Sequence, residues 1–356
     1  ANIQKEACLM KRQMKKAAAL AAAALLALSV AGCSEKTDPA SAAGSQSEEK
    51  KGTVVVYTSE SQDLVTDMLE DFKAKTGYDY SLFRSGTGDV IAKLNAELQT
   101  GSTEANVLWF ADIGYLYQLD EQGLIEHYTP AGADQIDSKF NYNDSMAFEV
   151  RQIFNIIAVN TLKNTVEIKD WYDLCDPALS GKFAMANPSY SGGAFTTLVA
   201  HVNNDQLGWQ FYEDMKANDI KFEQSNGNLQ TKISSGEYMA VSVVDFMIRN
   251  AQNEGAPVEI IWPESGAVMV PTPVAMLSNV PEENQAACRA LMDYMLSEDG
   301  QKFFVEQGYI PVSENVGVPE GAPNVSDIKV MDMALDSFIQ DSSAIREQFE
   351  TIFTAN

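Results

Sequence analysis

Hydrophobic positions along the chain follow two periods in turn, and this predicts strands that alternate with helices. The β-branched run at 54–57 predicts a buried strand, and the apolar residues from Leu64 to Phe72 then recur at helical spacing on one face. Glycine suits a left-handed C-cap, so this helix is expected to end at Gly77. A strand at 78–83, a helix at 89–100 and a strand at 105–110 repeat the pattern. Such alternation predicts a parallel sheet with right-handed crossovers, in which ligands bind beyond the carboxyl ends of the strands.

Four loops that precede predicted helices share hydroxyl residues or glycines. They lie at 58–61, 85–88, 187–193 and 225–228. A helix N-terminus carries free N–H groups and partial positive charge, and glycine lets that backbone approach a ligand closely. Taken singly, each Ser or Thr is best explained as an ordinary N-cap. Four such loops, two in each half of the chain, together predict one shared anion-binding pocket.

The same loops lack the motifs of nucleotide-binding and catalytic sites. Gly-Thr-Gly at 86–88 resembles part of a dinucleotide fingerprint, but Ile91 replaces its third glycine. The chain has no nucleophile elbow, no Cys-x-x-Cys and no His-Glu-x-x-His. Its two histidines are expected to lie at the surface (His127) and packed on a helix (His201). These observations predict a protein that is not an enzyme and has no cofactor or resident metal.

Two acids offer a rival interpretation. Asp112 follows the third strand, and Asp245 follows an apolar strand at 239–244. Both lie where a site is expected, and carboxylates perform acid–base chemistry. No nucleophile or metal cage accompanies them. An anchored hydrolase or sensor that uses these two acids therefore stays open as an alternative to a binding protein.

The N-terminal region has the order of an export signal. A basic segment with Lys11, Arg12, Lys15 and Lys16 precedes a 14-residue apolar run at 17–30. This run is shorter than the roughly 20 residues of a membrane-spanning helix. Small residues lie directly before Cys33, as in the bacterial lipobox. We expect a signal peptide at 10–32, starting at Met10 or Met14, with residues 1–9 excluded as an upstream extension.

The chain beyond this signal is polar at first and strongly acidic as a whole. The polar segment at 33–52 is expected to be the lipid anchor, at an acylated (palmitate-bearing) Cys33, and a flexible tether. Removing residues 1–32, with five basic side chains and one acid, takes the net charge from −25 to −29, which excludes nucleic-acid binding through the overall field. With 45% hydrophobic residues the chain can form two domains. Cys175 and Cys288 either pair in an oxidising compartment or stay separate buried thiols.

Several segments resemble the extracellular solute-binding proteins of ABC importers. The resemblance covers nearly all of 53–318. It rests on Val-Val-Tyr-Thr-Ser at 55–59, Phe-Lys-Ala-Lys-Thr-Gly at 72–77, Ala-Asn-Val-Leu-Trp at 105–109, Gly-Leu-Ile at 123–125, and on 171–174, 181–188, 234–238, 297–301 and 307–311. It is closest to the subgroup that binds ferric iron, hexose phosphates, 2-aminoethylphosphonate and thiamine. It implies a monomeric, lipid-anchored protein on the extracytoplasmic face of a bacterial membrane, which delivers a small solute to a permease and its ATPase.

The resemblance also implies an α/β fold of the type 2 periplasmic-binding class. Its two lobes would each hold a mixed, mostly parallel sheet flanked by helices, joined by a two-strand hinge at 152–159 and 271–277. Lobe 1 would comprise 53–154 and 271–356, and lobe 2 would comprise 155–270. Helices at 283–297, 301–307 and 327–355 would pack on lobe 1.

The ligand that the resemblance implies is a small anion or zwitterion. Iron binders of the family use paired tyrosines after the strand that here ends at Val244, with a histidine in the first loop. This chain has neither, so ferric iron would need another oxygen set, formed by Asp112, Asp245, Tyr115 and Tyr190. The loop at 85–88 instead resembles the phosphate-holding loop of phosphonate and sugar-phosphate binders. A phosphorylated or phosphonate solute is therefore favoured, with ferric iron as the alternative.

Thirteen residues form the predicted binding site. Hydroxyl and backbone donors to the oxyanion, together with their loop neighbours, would be Thr58, Ser59, Ser85, Gly86, Thr87, Ser191, Gly192, Gly193 and Asn226. Asp112 and Asp245 would bind an amine or hydroxyl groups of the ligand, and Trp109 or Tyr190 would cover its apolar face.

Overall fold

The computed structural model describes residues 52–354, and none of their helices is long and apolar enough to cross a membrane. The predicted signal peptide and the Cys33 anchor lie outside the described residues. The α-helices among residues 52–354 are α1 Gln62–Thr76, α2 Thr87–Gln99, α3 Ile113–Glu121, α4 Gly192–Val202, α5 Gly208–Ala217, α6 Asn226–Ser235, α7 Asp245–Asn253, α8 Glu282–Leu296, α9 Glu298–Glu306, α10 Leu335–Gln340 and α11 Ser342–Thr354. The strands are β1 Thr53–Thr58, β2 Asp79–Arg84, β3 Val107–Trp109, β4 Ile125–Glu126, β5 Asn141–Tyr142, β6 Ala147–Phe148, β7 Arg151–Gln152, β8 Phe154–Asn160, β9 Phe183–Ala186, β10 Lys221–Glu223, β11 Ala240–Val244, β12 Val258–Ile261, β13 Ala267–Met269, β14 Val274–Leu277, β15 Ile310–Pro311 and β16 Val330–Met331.

The first sheet is built from the alternating pattern at the start of the chain. Its strand order is β2-β1-β3-β14-β6-β5, with β4 paired to β14, and β1 is parallel to both β2 and β3. The apolar face of α1 is buried, and Gly77 ends this helix at a φ of 75°. The strand and helix pattern predicted here is confirmed. Because β1, β2 and β3 are parallel, the loops at 58–61, 85–88 and 110–112 leave the same edge of the sheet.

The second sheet is organised around β8, whose seven residues are all buried. Its strand order is β10-β9-β11-β8-β13-β16, with β12 paired to β8. Strands β9, β10 and β11 are mutually parallel, while β8 is antiparallel to β11. Helices α4, α6 and α7 follow β9, β10 and β11, so their N-termini lie at one edge of this sheet. The chain passes from the first sheet to the second at 149–153 and returns at 270–273.

The C-terminal region differs from the predicted single helix at 327–355 on the first lobe. The segment β16 instead joins the second sheet, parallel to β13, and α10 and α11 are separate helices. Helix α11 packs against α5, and its Phe349 and Phe353 rings contact the ring of Phe222 on β10 at centroid distances of 5.6 and 4.8 Å. The apolar residues of α11 therefore pack on the second sheet.

The surroundings of Cys175, Cys288, His127 and His201 agree with roles in the fold. Cys175 is half-buried and Cys288 is buried, and both are free thiols, so the alternative of two separate thiols holds. His127 is exposed, as predicted, and contacts a carboxylate oxygen of Asp120. His201 is buried as predicted, and this burial lowers its pKa to about 3.

Candidate functional site

The four polar loops meet at one cleft with a volume of about 830 Å³. The loops after β1 and β2 contribute from the first sheet, and those after β9 and β10 contribute from the second. Eight residues of the predicted site line the cleft: Ser59, Gly86, Thr87, Tyr190, Ser191, Gly192, Gly193 and Asn226. The loops that the sequence indicated separately are thus brought together in space.

The helix starts around the cleft are of two kinds. At α4 and α6, Ser191 and Ser225 are ordinary N-caps, since their Oγ atoms accept hydrogen bonds from Ala194 N and Asn228 N at 3.3 and 3.2 Å. At α2 the N-cap is Gly86, which has no side chain to accept a bond from the first-turn N–H groups. The first-turn N–H groups of α2 therefore stay available to another acceptor, although the Asp89 carboxylate in the same turn offsets part of the positive charge of the helix end.

The hydroxyl groups near α2 have different roles. Thr87 lies at the cleft, and its Oγ1 donates to Ser59 Oγ at 3.0 Å, which leaves the Ser59 hydroxyl hydrogen free to donate. Thr58 is buried and donates to Trp109 O at 2.6 Å, so it holds β1 against β3. Ser85 donates to Asp89 at 2.8 Å. Neither Thr58 nor Ser85 lines the cleft, which differs from the prediction.

Arg84 is a cleft residue that was not predicted from the sequence. It ends β2, directly before the predicted loop, and lies in the cleft wall. Its Nε donates to Glu60 O at 2.8 Å. The charged residues of the cleft lining are Glu60, Arg84 and Asp89. Glu60 forms an ion pair with Arg151, whereas Asp89 accepts only a hydrogen bond from Ser85 and keeps its negative charge. Arg84 is therefore the cation that the cleft lining offers to an anionic ligand.

A buried network supports the floor of the cleft. Arg151, fully buried on β7, forms an ion pair with Glu60 and donates to Thr272 Oγ1 at 3.0 Å. Thr272 N in turn donates to Glu149 at 3.0 Å. Burial raises the pKa of Glu60, against the effect of Arg151, and raises the pKa of Glu149 to about 8. The network ties both segments that connect the sheets to the first cleft loop.

Apolar rings complete this floor. The guanidinium of Arg151 lies over the Tyr309 and Trp109 rings, with 4.6 and 5.0 Å to their centroids. Tyr309 lines the cleft and lies 4.2 Å, centroid to centroid, from Phe246. Trp109 is fully buried and does not reach the cleft. Of the two rings predicted to cover an apolar face of the ligand, Trp109 is therefore not placed to do so, because its ring packs beneath Arg151. Tyr190, with 64% of its surface exposed, lies in the cleft wall.

Two predicted acids do not line the cleft either. Asp245 is fully buried, accepting from Phe154 N at 2.9 Å and from the Arg249 guanidinium at 2.7 Å. Asp112 accepts from Tyr115 N at 3.0 Å and thereby caps α3. Both acids serve the fold, so the structure offers no support for a hydrolase or sensor that depends on them.

The alternative oxygen set for ferric iron is also not assembled. Asp245 uses its two oxygens in hydrogen bonds within the fold, and Tyr115 donates to Asn95 at 2.7 Å. Of the four proposed ligands, only Tyr190 lines the cleft. Within residues 52–354, no group of three or more His, Cys, Asp or Glu side chains is arranged to hold a metal ion.

The walls of the cleft approach each other closely at Gly192. A Cβ atom at this position would lie 2.2 Å from Ala111 O, which is far inside contact distance. Ala111 follows β3 of the first sheet, and Gly192 begins α4 on the second sheet. Glycine at 192 therefore permits the contact that brings the two loop edges together.

The chain resembles known proteins in its sequence and in its fold. Residues 67–327 match the family model described as bacterial extracellular solute-binding protein. An uncharacterized protein from Haemophilus influenzae is 28% identical over 271 residues, which cover 72% of this chain and 77% of that protein. A protein named sulfate-binding protein, from Synechocystis, is 22% identical over 71% of this chain and 70% of its own length.

Solved structures share the fold. The periplasmic binding protein AfuA from Actinobacillus pleuropneumoniae, with fructose-6-phosphate bound, has a TM-score of 0.77 at 21% identity and covers 86% of this chain and 100% of its own. Iron-bound HitA from Pseudomonas aeruginosa has a TM-score of 0.73 at 17% identity, with 84% and 99% covered. These likenesses confirm the predicted α/β type 2 periplasmic-binding fold.

Proposed function

The chain belongs to the bacterial extracellular solute-binding proteins, and from this membership we propose that its cleft captures a small phosphorylated or phosphonate solute. The protein is the extracytoplasmic solute-binding component of an ABC transporter, and proteins of this family and fold are transport proteins without enzymatic activity. Its partners are a permease and an ATPase. The ligand class goes beyond family membership and depends on the cleft.

The observation that carries the proposal is the donor set around the N-terminus of α2. The uncapped first turn, the Ser59 and Thr87 hydroxyls and the Arg84 guanidinium all belong to one cleft wall or its edge. Backbone N–H groups at a helix N-terminus, with an arginine beside them, suit the oxygens of a phosphoryl or phosphonyl group. This favours an oxyanion at the first-sheet side of the cleft.

The remainder of the cleft favours an organic molecule over a bare oxyanion. Its volume of about 830 Å³ lies in the range of small-molecule sites and exceeds what an inorganic anion fills. The opposite wall carries the carboxamides of Gln224, Asn226 and Asn228, which suit hydroxyl or amine groups. Tyr190 on the same wall offers a ring to an apolar part of the solute. An aminophosphonate or a sugar phosphate has both kinds of group.

The location of the protein is inferred from its N-terminal sequence. We propose that acylated Cys33 anchors the protein to the outer face of the membrane, with residues 34–52 as the tether. Such a tether would hold a monomeric receptor near its permease. The membrane contact would then reside in the lipid, separate from the cleft.

Calorimetric titration of the full chain tests the proposed ligand class. The probes are 2-aminoethylphosphonate, fructose-6-phosphate, sulfate and ferric citrate. Each is titrated into wild type, Thr87→Val and the matched control Thr351→Val, which lies at an exposed position of α11. We expect saturable binding of an organophosphorus probe, weakened by Thr87→Val and unchanged by Thr351→Val. Binding of ferric citrate or sulfate alone would show that the ligand class is wrong.

A further inference from the structure

Helix α10 packs between a helix of the first sheet and a helix of the second. It contacts both α3, which follows β3, and α4, which follows β9. Its Phe338 is buried, and the ring lies 5.3 Å, centroid to centroid, from that of Phe195 on α4. A Cβ atom at Gly114 of α3 would lie 3.0 Å from a carbon of the Phe338 ring, so glycine lets this ring approach α3 closely. Phe338 therefore packs against elements of both sheets.

Arg346 on α11 connects the same two sides by polar contacts. Its Nη1 donates to Pro188 O at 3.0 Å, and its guanidinium lies over the Phe195 ring, 3.4 Å from the centroid. Its Nη2 lies 3.8 Å from Asp112 Oδ2 on the first-sheet side. The other oxygen of Asp112 caps α3. One guanidinium thus contacts the loop after β9 and the loop after β3.

The contacts of Arg346 directly adjoin the cleft. Pro188 precedes the cleft residues at 189–193, and Asp112 follows the cleft residue Ala111. The close approach of the two cleft walls lies between these same loops. Arg346 itself is not a lining residue of the cleft. It can therefore influence a solute only through the loops that it holds.

Attachment of α11 to the second sheet does not require this arginine. The Phe349 and Phe353 rings already pack on Phe222 of that sheet. Arg346 adds a contact in another direction, because Asp112 belongs to the first-sheet side. Its position therefore favours a role between the sheets over a role in packing α11 alone.

We propose that residues 335–346 form a bridging segment, a third connection between the two sheets. Arg346 is its positioning residue, and it holds the loop at 187–193 beside the loop at 110–112. Loops that are already held in place in the free protein lose less freedom when a solute binds, so affinity depends on Arg346. The proposal rests on solute capture in the cleft and not on the class of solute.

Hydrogen–deuterium exchange of the ligand-free full chain tests the bridging segment. Arg346→Met keeps an apolar side chain over Phe195 and removes the guanidinium. Asp112→Asn removes the charge and keeps an oxygen that can cap α3. The matched control is Gln348→Met, at an exposed position of the same helix.

Arg346→Met should speed exchange about ten-fold at the amides of Tyr190, Ser191 and Tyr115, which are hydrogen-bonded in the two loops. Arg346→Lys should give an intermediate rate, and Gln348→Met should leave the rates unchanged.

Asp112→Asn breaks only the longer contact of Arg346, so it should speed exchange about three-fold at Tyr190 and Ser191. It should add nothing in the presence of Arg346→Met, because both changes break the same pair. If Arg346→Met does not fold, Asp112→Asn decides alone. Loop exchange at the wild-type rate in the folded variants, or faster exchange confined to α5 and α11, would overturn the proposal.

Calorimetric titration of the same proteins with 2-aminoethylphosphonate and fructose-6-phosphate measures the effect on solute capture. Each probe that binds wild type should bind Arg346→Met about five- to ten-fold more weakly and Gln348→Met equally well. Affinity of Arg346→Met within about two-fold of wild type would overturn its positioning role. If neither probe binds wild type, the proposed ligand class is wrong, and exchange of the ligand-free protein still decides on the bridging segment.

Discussion

Replacement of Arg84 by glutamine removes the cleft charge that faces an anionic ligand. Arg84 makes one protein hydrogen bond, from Nε to Glu60 O at 2.8 Å, and the residue is exposed. Loss of that bond should change the free energy of unfolding by at most about 1 kcal/mol. A charge-assisted hydrogen bond to an oxyanion contributes about 1.5–3 kcal/mol, so the dissociation constant should rise roughly ten- to a hundred-fold. Calorimetric titration with the tightest organophosphorus probe measures this change.

Two further variants make the Arg84 result specific. Arg84→Lys keeps the charge but loses the planar pair of donors, so its affinity should lie between those of wild type and Arg84→Gln. Arg289→Gln removes a half-exposed arginine that is paired with Glu126 at 3.5 Å outside the cleft lining, and it should bind like wild type. Binding by Arg84→Gln within about two-fold of wild type, with folding intact, would refute the role of this charge.

Three other substitutions probe the walls, the buried network and the anchor. Gly192→Ala introduces a Cβ atom 2.2 Å from Ala111 O, so it should cost about 1–3 kcal/mol of stability by thermal unfolding and weaken solute binding. Stability unchanged from wild type would contradict this close approach. Glu149 has a pKa of about 8 when folded, above its ordinary value near 4.5, so the native state binds more protons and loses stability as pH rises through that window. Urea unfolding between pH 5 and pH 8 should show a loss of about 1 kcal/mol per pH unit that Glu149→Gln reduces, and an equal slope in both proteins would contradict it. Cys33→Ser should shift the exported protein from the detergent phase to the aqueous phase, and retention in the detergent phase would exclude this lipid anchor.

The grouping of the polar loops at one edge of each sheet could be predicted from sequence because parallel strands end at a common edge. Val54, Val56 and their neighbours identify β1, and each subsequent hydroxyl-rich loop must then lie at the carboxyl end of its strand. The close contact of Gly192 with Ala111 could not be read in the same way. It depends on how the two sheets are placed, which no local pattern states.

The structural roles of the acids that follow strands could not be inferred from position alone, for a different reason. A carboxylate after a strand is compatible with binding and with structure, and its partner decides between them. Glu60 pairs with Arg151, 91 residues away, which local sequence does not reveal. The partner of Asp245 could be inferred from the sequence, because Arg249 is four residues later on the same helix face. Arg84 was overlooked because it belongs to β2 and not to the loop that begins at Ser85.

Mass spectrometry and elemental analysis of small molecules that co-purify with the full chain test the central claim most directly. The account predicts a phosphorus-containing organic solute at about one per protein, strongly depleted in Arg84→Gln because its affinity falls at least about ten-fold. It predicts the same solute at an unchanged level in Arg289→Gln. Iron or inorganic sulfate at one per protein, with no organophosphorus solute, would contradict the proposed function of the cleft.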